Sequence, residues 1–258
     1  MTENPRFGMR EELAKYESAP QNIRVMSEDW VAQNTYCVCC DNDHLTQFSA
    51  NRPVADFYCD VCFAEFELKA SKSKFGNKIV DGAYSAMIER VREARSPHLM
   101  LLQYDKSQFS VHRLAIIPNT FLTKEIIEKR KPLSSTARRA GWVGCNILFS
   151  KIPRTGVVEM MSNDVMRTRV DVREEWRRAT NFSAPNFGDG WLFQVMRCVE
   201  QISTREFSLP EIYAFEAELS SIFPTNKNIR PKIRQQLQKL RDLGEIIFLG
   251  NGYYQKTK

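Results

Sequence analysis

Residues 53–69 read PVADFYCDVCFAEFELK, and this stretch decides how the surrounding chain folds. Two β-type runs flank a Cys-x2-Cys pair, so we predict a strand, a tight knuckle and a returning strand. Because side chains alternate along a strand, Glu67 and Lys69 would share the face opposite the apolar residues Phe66 and Leu68. Asp56 precedes the knuckle, which turns the chain back toward Glu67. The stretch therefore predicts a hairpin that brings Asp56, Glu67 and Lys69 together.

A second Cys-x2-Cys pair lies upstream, with 18 residues between the two pairs. Cys37, Cys40, Cys59 and Cys62 then have the spacing of a structural four-cysteine zinc site, whereas the chance alternative is four free thiols. Cys39 leaves a choice of ligand within the first knuckle. Four thiolates fill a tetrahedral shell and leave no position for water. We therefore predict that the zinc builds structure and that any chemistry comes from elsewhere.

The acidic residues of the hairpin are the candidates for that chemistry. Asp56 and Glu67 could hold a hard divalent cation such as Mg²⁺, which polarises a phosphodiester and lowers the pKa of a water molecule. Lys69 could orient that water or stabilise charge developing on the phosphate. A Glu-x-Lys pattern alone is more often a solvated strand face. The aspartate at hairpin distance and the zinc knuckle between them favour a catalytic site.

Composition sets wide bounds on the protein class. The chain has 258 residues, of which 43% are apolar, enough for one large core or two ordinary domains. No apolar run approaches a membrane span, and no charged stretch leads into a short apolar segment, so we expect a soluble intracellular protein. The net charge of +6 suits a polyanionic partner, but the distribution of charge must decide.

The middle of the chain mixes strand and helix patterns. Residues 98–104 and 111–117 are short apolar runs joined by a polar turn, as expected for neighbouring sheet strands. Residues 81–92 have apolar residues at helical spacing, with Asp81 available as the N-cap. We therefore predict an α/β core in which a helix packs on a mixed sheet.

A second domain is expected after residues 181–190, which carry turn formers and no periodicity. Ser208 is a possible helix cap, and a Gly-Asn-Gly turn separates two short β-type runs near the C-terminus. The expected elements are helices at 191–202, 210–222 and 228–243, and a β-hairpin at 246–255. Three helices and a hairpin are the outline of a winged helix-turn-helix, a DNA-binding architecture.

Two segments have the charge pattern of DNA contacts. Residues 129–142 hold five basic residues and no acidic one, so Arg138 and Arg139 could bind phosphates and Trp142 could contact a base edge or a methyl group. The alternatives are a basic surface loop with a buried tryptophan, or arginines in structural ion pairs. Residues 225–258 hold eight Lys or Arg against two acids. The candidate contacts on the third helix and the hairpin are Arg230, Lys232, Arg234, Gln235, Gln236 and Tyr253, unless this is merely a solvated amphipathic helix.

Asp56, Glu67 and Lys69 resemble the active-site motif of the PD-(D/E)XK nuclease superfamily, with Ala55 in place of the usual proline. More widely, the chain resembles DpnI-type methyl-directed restriction endonucleases. The similar segments are EDW at 28–30, NRPVADFYC at 51–59, FELK at 66–69, DGAY at 81–84, TARRAGWVGCNI at 136–147 and IRQQLQKLRD at 233–242.

The resemblance implies a type II enzyme of the prokaryotic cytoplasm. It would hydrolyse double-stranded DNA where adenine, as in GATC, carries an N6-methyl group, with Mg²⁺ as catalytic and Zn²⁺ as structural metal. It implies a PD-(D/E)XK nuclease domain with an inserted zinc site at 1–182 and a winged-helix DNA-binding domain at 183–258.

Two other readings of the residues remain. A zinc-containing regulator that binds methylated DNA without cutting it would share the zinc site and the winged helix, so only the carboxylates and Lys69 separate it from a nuclease. A zinc-finger nuclease of the HNH type is disfavoured, because His44, His98 and His112 form no paired histidine motif.

Overall fold

The structure is a computed structural model and describes residues 7–40, 42–49, 55–93, 96–181 and 190–257. The helices are α1 (Ala19–Asn34), α2 (Tyr84–Arg90), α3 (Arg169–Asn181), α4 (Trp191–Gln201), α5 (Leu209–Tyr213), α6 (Glu216–Ile222) and α7 (Ile229–Asp242). The strands are β1 (Thr46–Gln47), β2 (Phe57–Tyr58), β3 (Glu65–Ser71), β4 (Ile79–Ala83), β5 (His98–Asp105), β6 (Ser110–Ile117), β7 (Ile127–Lys129), β8 (Gly144–Ile147), β9 (Val158–Ser162), β10 (Val165–Met166), β11 (Glu206–Ser208), β12 (Ile246–Gly250) and β13 (Tyr253–Lys256).

The chain forms two compact units that alternate along the sequence. The first unit comprises Met1–Gly76, Ile88–Thr120 and Thr155–Thr180. The second unit comprises Asn77–Met87, Phe121–Arg154 and Asn181–Lys258.

A seven-stranded mixed sheet forms the centre of the first unit, in the order β1-β2-β3-β5-β6-β9-β10. Strands β3 and β5 pair in parallel, and the other neighbours pair antiparallel. Six consecutive residues of β5 are buried, as expected for a central strand covered on both faces. The predicted strands at 98–104 and 111–117 are confirmed as the antiparallel pair β5 and β6. The expected α/β fold with a mixed sheet is therefore present.

Helix α1 packs against β1 and β3 of this sheet. Its apolar face buries Met26, Trp30 and Val31, and the Trp30 indole N–H donates to the carbonyl of Phe7 at 3.1 Å. The packing fixes the position of the polar residues of α1 that border β3.

The predicted helix at 81–92 is wrong at its start. Asp81 lies in β4, which pairs with β8, and the helix runs only from Tyr84 to Arg90. Burial alternates along β4, with Ile79 and Asp81 buried and Val80 and Gly82 exposed. This period of two allows strand pairing, which overrides the helical spacing of the apolar residues. Asp81 is therefore a strand residue and not an N-cap.

The second unit contains two three-stranded antiparallel sheets, β4-β8-β7 and β11-β13-β12. Helix α4 precedes the second of these sheets in the chain, and α5 to α7 lie between its strands β11 and β12. Helix α7 packs against α4 and β12. Nine of the 11 residues of α4 are buried, so this helix is central to the core of the C-terminal part of the second unit. The predicted hairpin is confirmed as β12 and β13, joined by Gly250, Asn251 and Gly252 in the left-handed region at φ of 92°, 49° and 79°.

The predicted helix at 210–222 is divided into α5 and α6. Ser208 caps α5 as predicted, because its side chain and backbone form a capping box with Glu211. Among the described residues, no helix combines the length and the apolarity required to cross a membrane.

Candidate functional site

The four cysteines of the two knuckles converge on one point. The sulfur atoms of Cys37, Cys40, Cys59 and Cys62 all lie within 4.8 Å of one another, with Cys37 Sγ 3.6 Å from Cys62 Sγ and Cys40 Sγ 3.5 Å from Cys59 Sγ. Tetrahedral zinc with Zn–S bonds of about 2.3 Å requires sulfur separations of about 3.8 Å. The donor set and its spacing therefore fit a structural zinc ion, as the sequence predicts.

Backbone and side-chain donors hold this cluster in place. The Cys59 N–H donates to the Ala64 carbonyl at 2.9 Å, which closes the second knuckle, and Asn42 Nδ2 lies 3.5 Å from Cys59 Sγ. Burial raises the pKa of Cys59, but N–H donors of Cys62, Asn42 and Val61 outweigh it and lower that pKa to about 6. Such donors favour the thiolate that zinc requires.

Cys39 lies outside the four-sulfur group. Its Sγ is 3.7 Å from Nε2 of His98, whose Nδ1 accepts the backbone N–H of Asn119 at 3.0 Å. Burial lowers the pKa of His98 to about 4, so the ring is neutral near pH 7. The rings of Phe66 and Trp176 pack on it with centroid distances of 5.3 and 4.9 Å. The choice of ligand in the first knuckle therefore falls on Cys37 and Cys40.

The second knuckle connects β2, which begins directly after Asp56, to β3, which carries Glu67. Strands β2 and β3 pair antiparallel on either side of it. The Asp56 N–H donates to the Phe66 carbonyl at 2.9 Å, and Asp56 Oδ2 accepts the Leu68 N–H at 2.7 Å. These two partners flank Glu67 in the chain. The hairpin thus holds the Asp56 carboxylate against the backbone that carries Glu67.

Glu67 lies between two cations. Lys69 Nζ is 2.7 Å from its Oε1, and Arg90 Nη1 is 2.5 Å from its Oε2. All three side chains are mostly buried, with exposed fractions between 16% and 24%. The structure therefore brings Lys69 to the glutamate with which the sequence associates it, and adds Arg90, which the sequence analysis did not single out.

Glu28 is a further acidic residue beside this site. It lies on α1, is 7% exposed, and accepts from Arg24 Nε at 2.5 Å and from Gln47 Nε2 at 2.7 Å. Burial raises its pKa, and the negative charge of Asp56 adds to the rise, while Arg24 and Gln47 oppose it. Sequence reasoning placed Glu28 in a similar segment but gave it no role. The signal that could have found it is a carboxylate on the buried face of a helix.

The type of donor in Glu28, Asp56 and Glu67 suits a hard divalent cation. Among the described residues, however, only the cysteine cluster brings three or more potential metal ligands together. In this structure cationic side chains hold the carboxylates: Arg24 contacts Glu28 and Asp56, while Lys69 and Arg90 contact Glu67. A divalent cation at this site would therefore replace some of these contacts.

The basic loop around Trp142 lies in the second unit. The Leu133 N–H donates to the Trp142 carbonyl at 2.9 Å, and Arg139 lies over the indole ring at 4.9 Å from its centroid. The ring packs directly over Gly144, where an added Cβ would come within 2.8 Å of it. Arg138 and Arg139 are exposed and Trp142 is half-buried. The loop thus exposes both arginines and part of an aromatic ring.

Helix α7 exposes most of its predicted DNA contacts. Arg230, Arg234 and Gln235 are exposed, and Lys232 is half-buried. Arg230 Nε donates to Glu216 at 2.8 Å, and Arg234 Nη1 donates to the Tyr213 hydroxyl at 3.1 Å. These contacts orient two arginines on the outer face of the helix.

The structure buries Gln236, which the sequence analysis expected on the exposed face of α7. Its side chain is fully buried, and Oε1 has no hydrogen-bond partner among the described residues. Gln236 follows Ile233 by three positions and precedes Leu240 by four, so it lies on the apolar face of α7. A buried glutamine there packs the domain and cannot reach DNA.

The β12–β13 hairpin exposes an aromatic side chain next to its turn. Tyr253 is 55% exposed, whereas Tyr254 is buried against Phe207 and Phe248 with centroid distances of 5.5 and 5.2 Å. Of the two tyrosines considered from the sequence, Tyr253 is therefore the one available to a partner.

Comparison with protein families agrees with these features. The model of the family described as "DpnI: Dam-replacing family" matches residues 7–184. The model described as "Dam-replacing HTH domain" matches residues 188–256. The first match alone covers more than half of the chain and contains the zinc cluster, the carboxylates and the Trp142 loop. The chain belongs to the Dam-replacing family of DpnI, and its C-terminal part is that family's helix-turn-helix domain.

Proposed function

We propose that the protein is a type II, magnesium-dependent restriction endonuclease that cuts double-stranded DNA at sites containing N6-methyladenine, with methylated GATC as the target. Membership of the DpnI family indicates DNA recognition that depends on methylation. The observation that supports the catalytic part is the hairpin closed by the second cysteine knuckle, on which Asp56, Glu67 and Lys69 lie together. A DNA-cutting enzyme of this kind would act in the prokaryotic cytoplasm.

The proposed catalytic roles follow from residue chemistry. Asp56 and Glu67 would hold Mg²⁺, with Glu28 as a third oxygen donor from α1. Bound magnesium would polarise the phosphodiester and lower the pKa of the attacking water. Lys69, which already contacts Glu67, would orient that water and stabilise charge on the phosphate. Asp56 keeps its orientation through the Leu68 N–H, which belongs to the strand that carries Glu67 and Lys69.

Recognition of DNA would use exposed cations and aromatic rings. Arg138 and Arg139 would neutralise phosphates, and Trp142 would supply an apolar surface for the adenine methyl group. In the helix-turn-helix domain the proposed contacts are Arg230, Lys232, Arg234, Gln235 and Tyr253.

We also propose the corresponding domain division. A nuclease domain with a PD-(D/E)XK core and the inserted zinc site would span residues 1–182, and a winged-helix domain would span residues 183–258. The parallel pairing of β3 with β5 inside a mixed sheet, and α1 packed against β3, support such a core.

The decisive variants are Asp56→Asn and Lys69→Ala. Both should abolish cleavage of an adenine-methylated plasmid in magnesium while the affinity for methylated duplex stays within about threefold of wild type. Matched controls are Asp105→Asn and Lys106→Ala, which change exposed residues at the turn between β5 and β6. Undiminished cutting by either active-site variant would remove the catalytic assignment.

One observation favours the non-catalytic alternative, a zinc-containing regulator that binds methylated DNA. Lys69 and Arg90 both contact Glu67, and such a cluster could also be purely structural. The same digest separates the two functions. A wild-type protein that binds methylated duplex but leaves it intact in magnesium would be a regulator.

A further inference from the structure

We propose that Arg24 is a positioning residue that occupies the place of the divalent cation in the free protein and moves to a DNA phosphate when metal and substrate bind. The inference rests on the proposed nuclease function and assigns a role to a residue outside its motif. Arg24 lies on α1 one turn before Glu28 and bridges two carboxylates. Its Nε donates to Glu28 Oε1 at 2.5 Å, and its Nη2 donates to Asp56 Oδ1 at 3.3 Å.

The remaining oxygens of these carboxylates have uncharged partners. Gln47 Nε2 donates to Glu28 Oε2 at 2.7 Å, and the Leu68 N–H donates to Asp56 Oδ2 at 2.7 Å. Each carboxylate is therefore anchored through one oxygen by a neutral donor, while its other oxygen faces the guanidinium. If Arg24 moved away, two anchored carboxylates would still present one oxygen each to the same place. Two such oxygens are a starting set for a hard cation.

Electrostatics prevents Arg24 and a divalent ion from sharing this place. A guanidinium and a doubly charged cation repel, and the ion attracts each carboxylate more strongly. Arg24 is also the cation best able to leave, because 55% of its side chain is exposed, against 16% for Arg90 and 24% for Lys69. The Glu28 carboxylate is buried, so its charge must stay compensated, and the arriving metal ion would replace the guanidinium there.

The released side chain keeps a function at the rim of the site. A guanidinium remains charged at all relevant pH values and binds phosphate oxygens through two parallel N–H donors. Its stem is fixed one helical turn from Glu28, so the head would remain beside the metal and within reach of a phosphate bound there. Before DNA binds, Arg24 would thus compete with cations from the solvent for the two carboxylates. After DNA binds, it would contact the phosphate.

The test measures metal binding without DNA. The zinc-loaded full-length protein is titrated with Mn²⁺ and with Ca²⁺ by calorimetry, as wild type, Arg24→Gln, Arg24→Lys and Asp56→Asn. Arg24→Gln should bind the second metal about three- to tenfold more tightly, because a competing charge is gone. Arg24→Lys keeps the charge but lacks the fork that bridges two carboxylates, so its gain should be smaller.

Arg10→Gln is the matched control. Arg10 forms an exposed ion pair with Asp29, which lies on α1 as Arg24 does. It should leave the metal affinity within twofold of wild type. Thermal unfolding of each variant confirms that it is folded. An unchanged or weaker metal affinity in a folded Arg24→Gln protein overturns the proposal.

A second measurement tests the phosphate contact. With Ca²⁺ at saturation, the affinity for methylated duplex is measured across salt concentrations by fluorescence anisotropy. Arg24→Gln should lose about one phosphate contact, which lowers the slope of log affinity against log salt by about 0.9, whereas Arg10→Gln should not. An unchanged slope in Arg24→Gln overturns the transfer to phosphate.

The outcomes separate this inference from the proposed function. In one outcome, wild type binds a second metal, Asp56→Asn does not, and Arg24→Gln has the metal affinity of wild type. Arg24 then has no such role, but the nuclease site stands. If Arg24→Gln gains affinity but the wild type cuts no DNA, the role of Arg24 stands and the nuclease assignment falls. If none of the proteins binds a metal besides zinc, both fall.

Discussion

Replacing Cys59 by serine should damage the proposed active site as well as the four-cysteine metal site. Cys59 belongs to the four-sulfur group that could hold zinc, and its backbone N–H closes the knuckle onto Ala64. The same knuckle sets the pairing of β2 with β3, through which Asp56 reaches the Leu68 N–H. Loss of the ligand therefore releases the segment that positions Asp56, which lies three residues upstream.

The magnitude follows from two contributions. Structural zinc sites of four ligands contribute about 10–16 kcal/mol to folding, so an equal share for one ligand is about 2.5–4 kcal/mol. The hydrogen bond from the Leu68 N–H to the Asp56 carboxylate is charge-assisted and contributes about 1.5–3 kcal/mol. Its loss lowers the population of correctly oriented Asp56 by about ten- to 150-fold. Cleavage should fall by at least about tenfold even in the folded fraction.

The assay combines three measurements on Cys59→Ser and wild type: bound zinc per chain, free energy of unfolding in urea, and the initial rate of cutting of methylated plasmid. Cys39→Ser is the matched control, because Cys39 lies in the first knuckle, beside this metal site, but outside the four-sulfur group. It should retain zinc and activity. A zinc-free Cys59→Ser protein that cuts at the wild-type rate would refute the link between zinc and the catalytic hairpin.

Three further predictions concern other parts of the chain. Burial lowers the pKa of His98 from 6.5 to about 4 on folding. The contribution of His98 to the free energy of unfolding is therefore fully present above pH 6.5. It is lost as the pH falls toward 4, and the loss is about 3 kcal/mol in total. Urea denaturation should show a flatter pH dependence for His98→Gln over this window, and parallel curves would contradict the prediction. Gln236→Leu should raise the free energy of unfolding by about 1 kcal/mol and leave DNA affinity unchanged, because it removes a buried oxygen without a partner. A folded variant with weaker DNA binding would make Gln236 a contact after all. Gly144→Ala should displace the Trp142 ring and reduce the preference for methylated over unmethylated duplex in anisotropy titrations, to the extent that Trp142→Ala does. An unchanged preference in both variants would exclude Trp142 as the methyl reader.

Local patterns allowed the zinc site and the hairpins to be predicted from the sequence. The Cys-x2-Cys spacing fixes which thiolates can share an ion, and the Gly-Asn-Gly turn determines where β12 ends and β13 begins. The buried strand β5 could be predicted from a local pattern too, since a short apolar segment bounded by turns favours a central strand.

Features that depend on long-range packing were missed. Glu28 lies near Asp56 because α1 packs against β3, and the periodicity of residues within α1 does not indicate that neighbour. The sequence around Asp81 resembled a helix cap, but β4 pairs with β8 and Asp81 is therefore a strand residue. Gln236 could have been identified as buried, because it has the helical spacing of Ile233 and Leu240. The polar side chain of Gln236 led to the prediction that it is exposed.

Digestion of one plasmid prepared with and without adenine methylation tests the central claim most directly. Purified, zinc-loaded protein is incubated with each form in magnesium, and the ends of any fragments are sequenced. The proposed function predicts that only the methylated plasmid is cut, at sites containing N6-methyladenine with GATC as the common sequence. Intact methylated plasmid, or equal cutting of both forms, would contradict it.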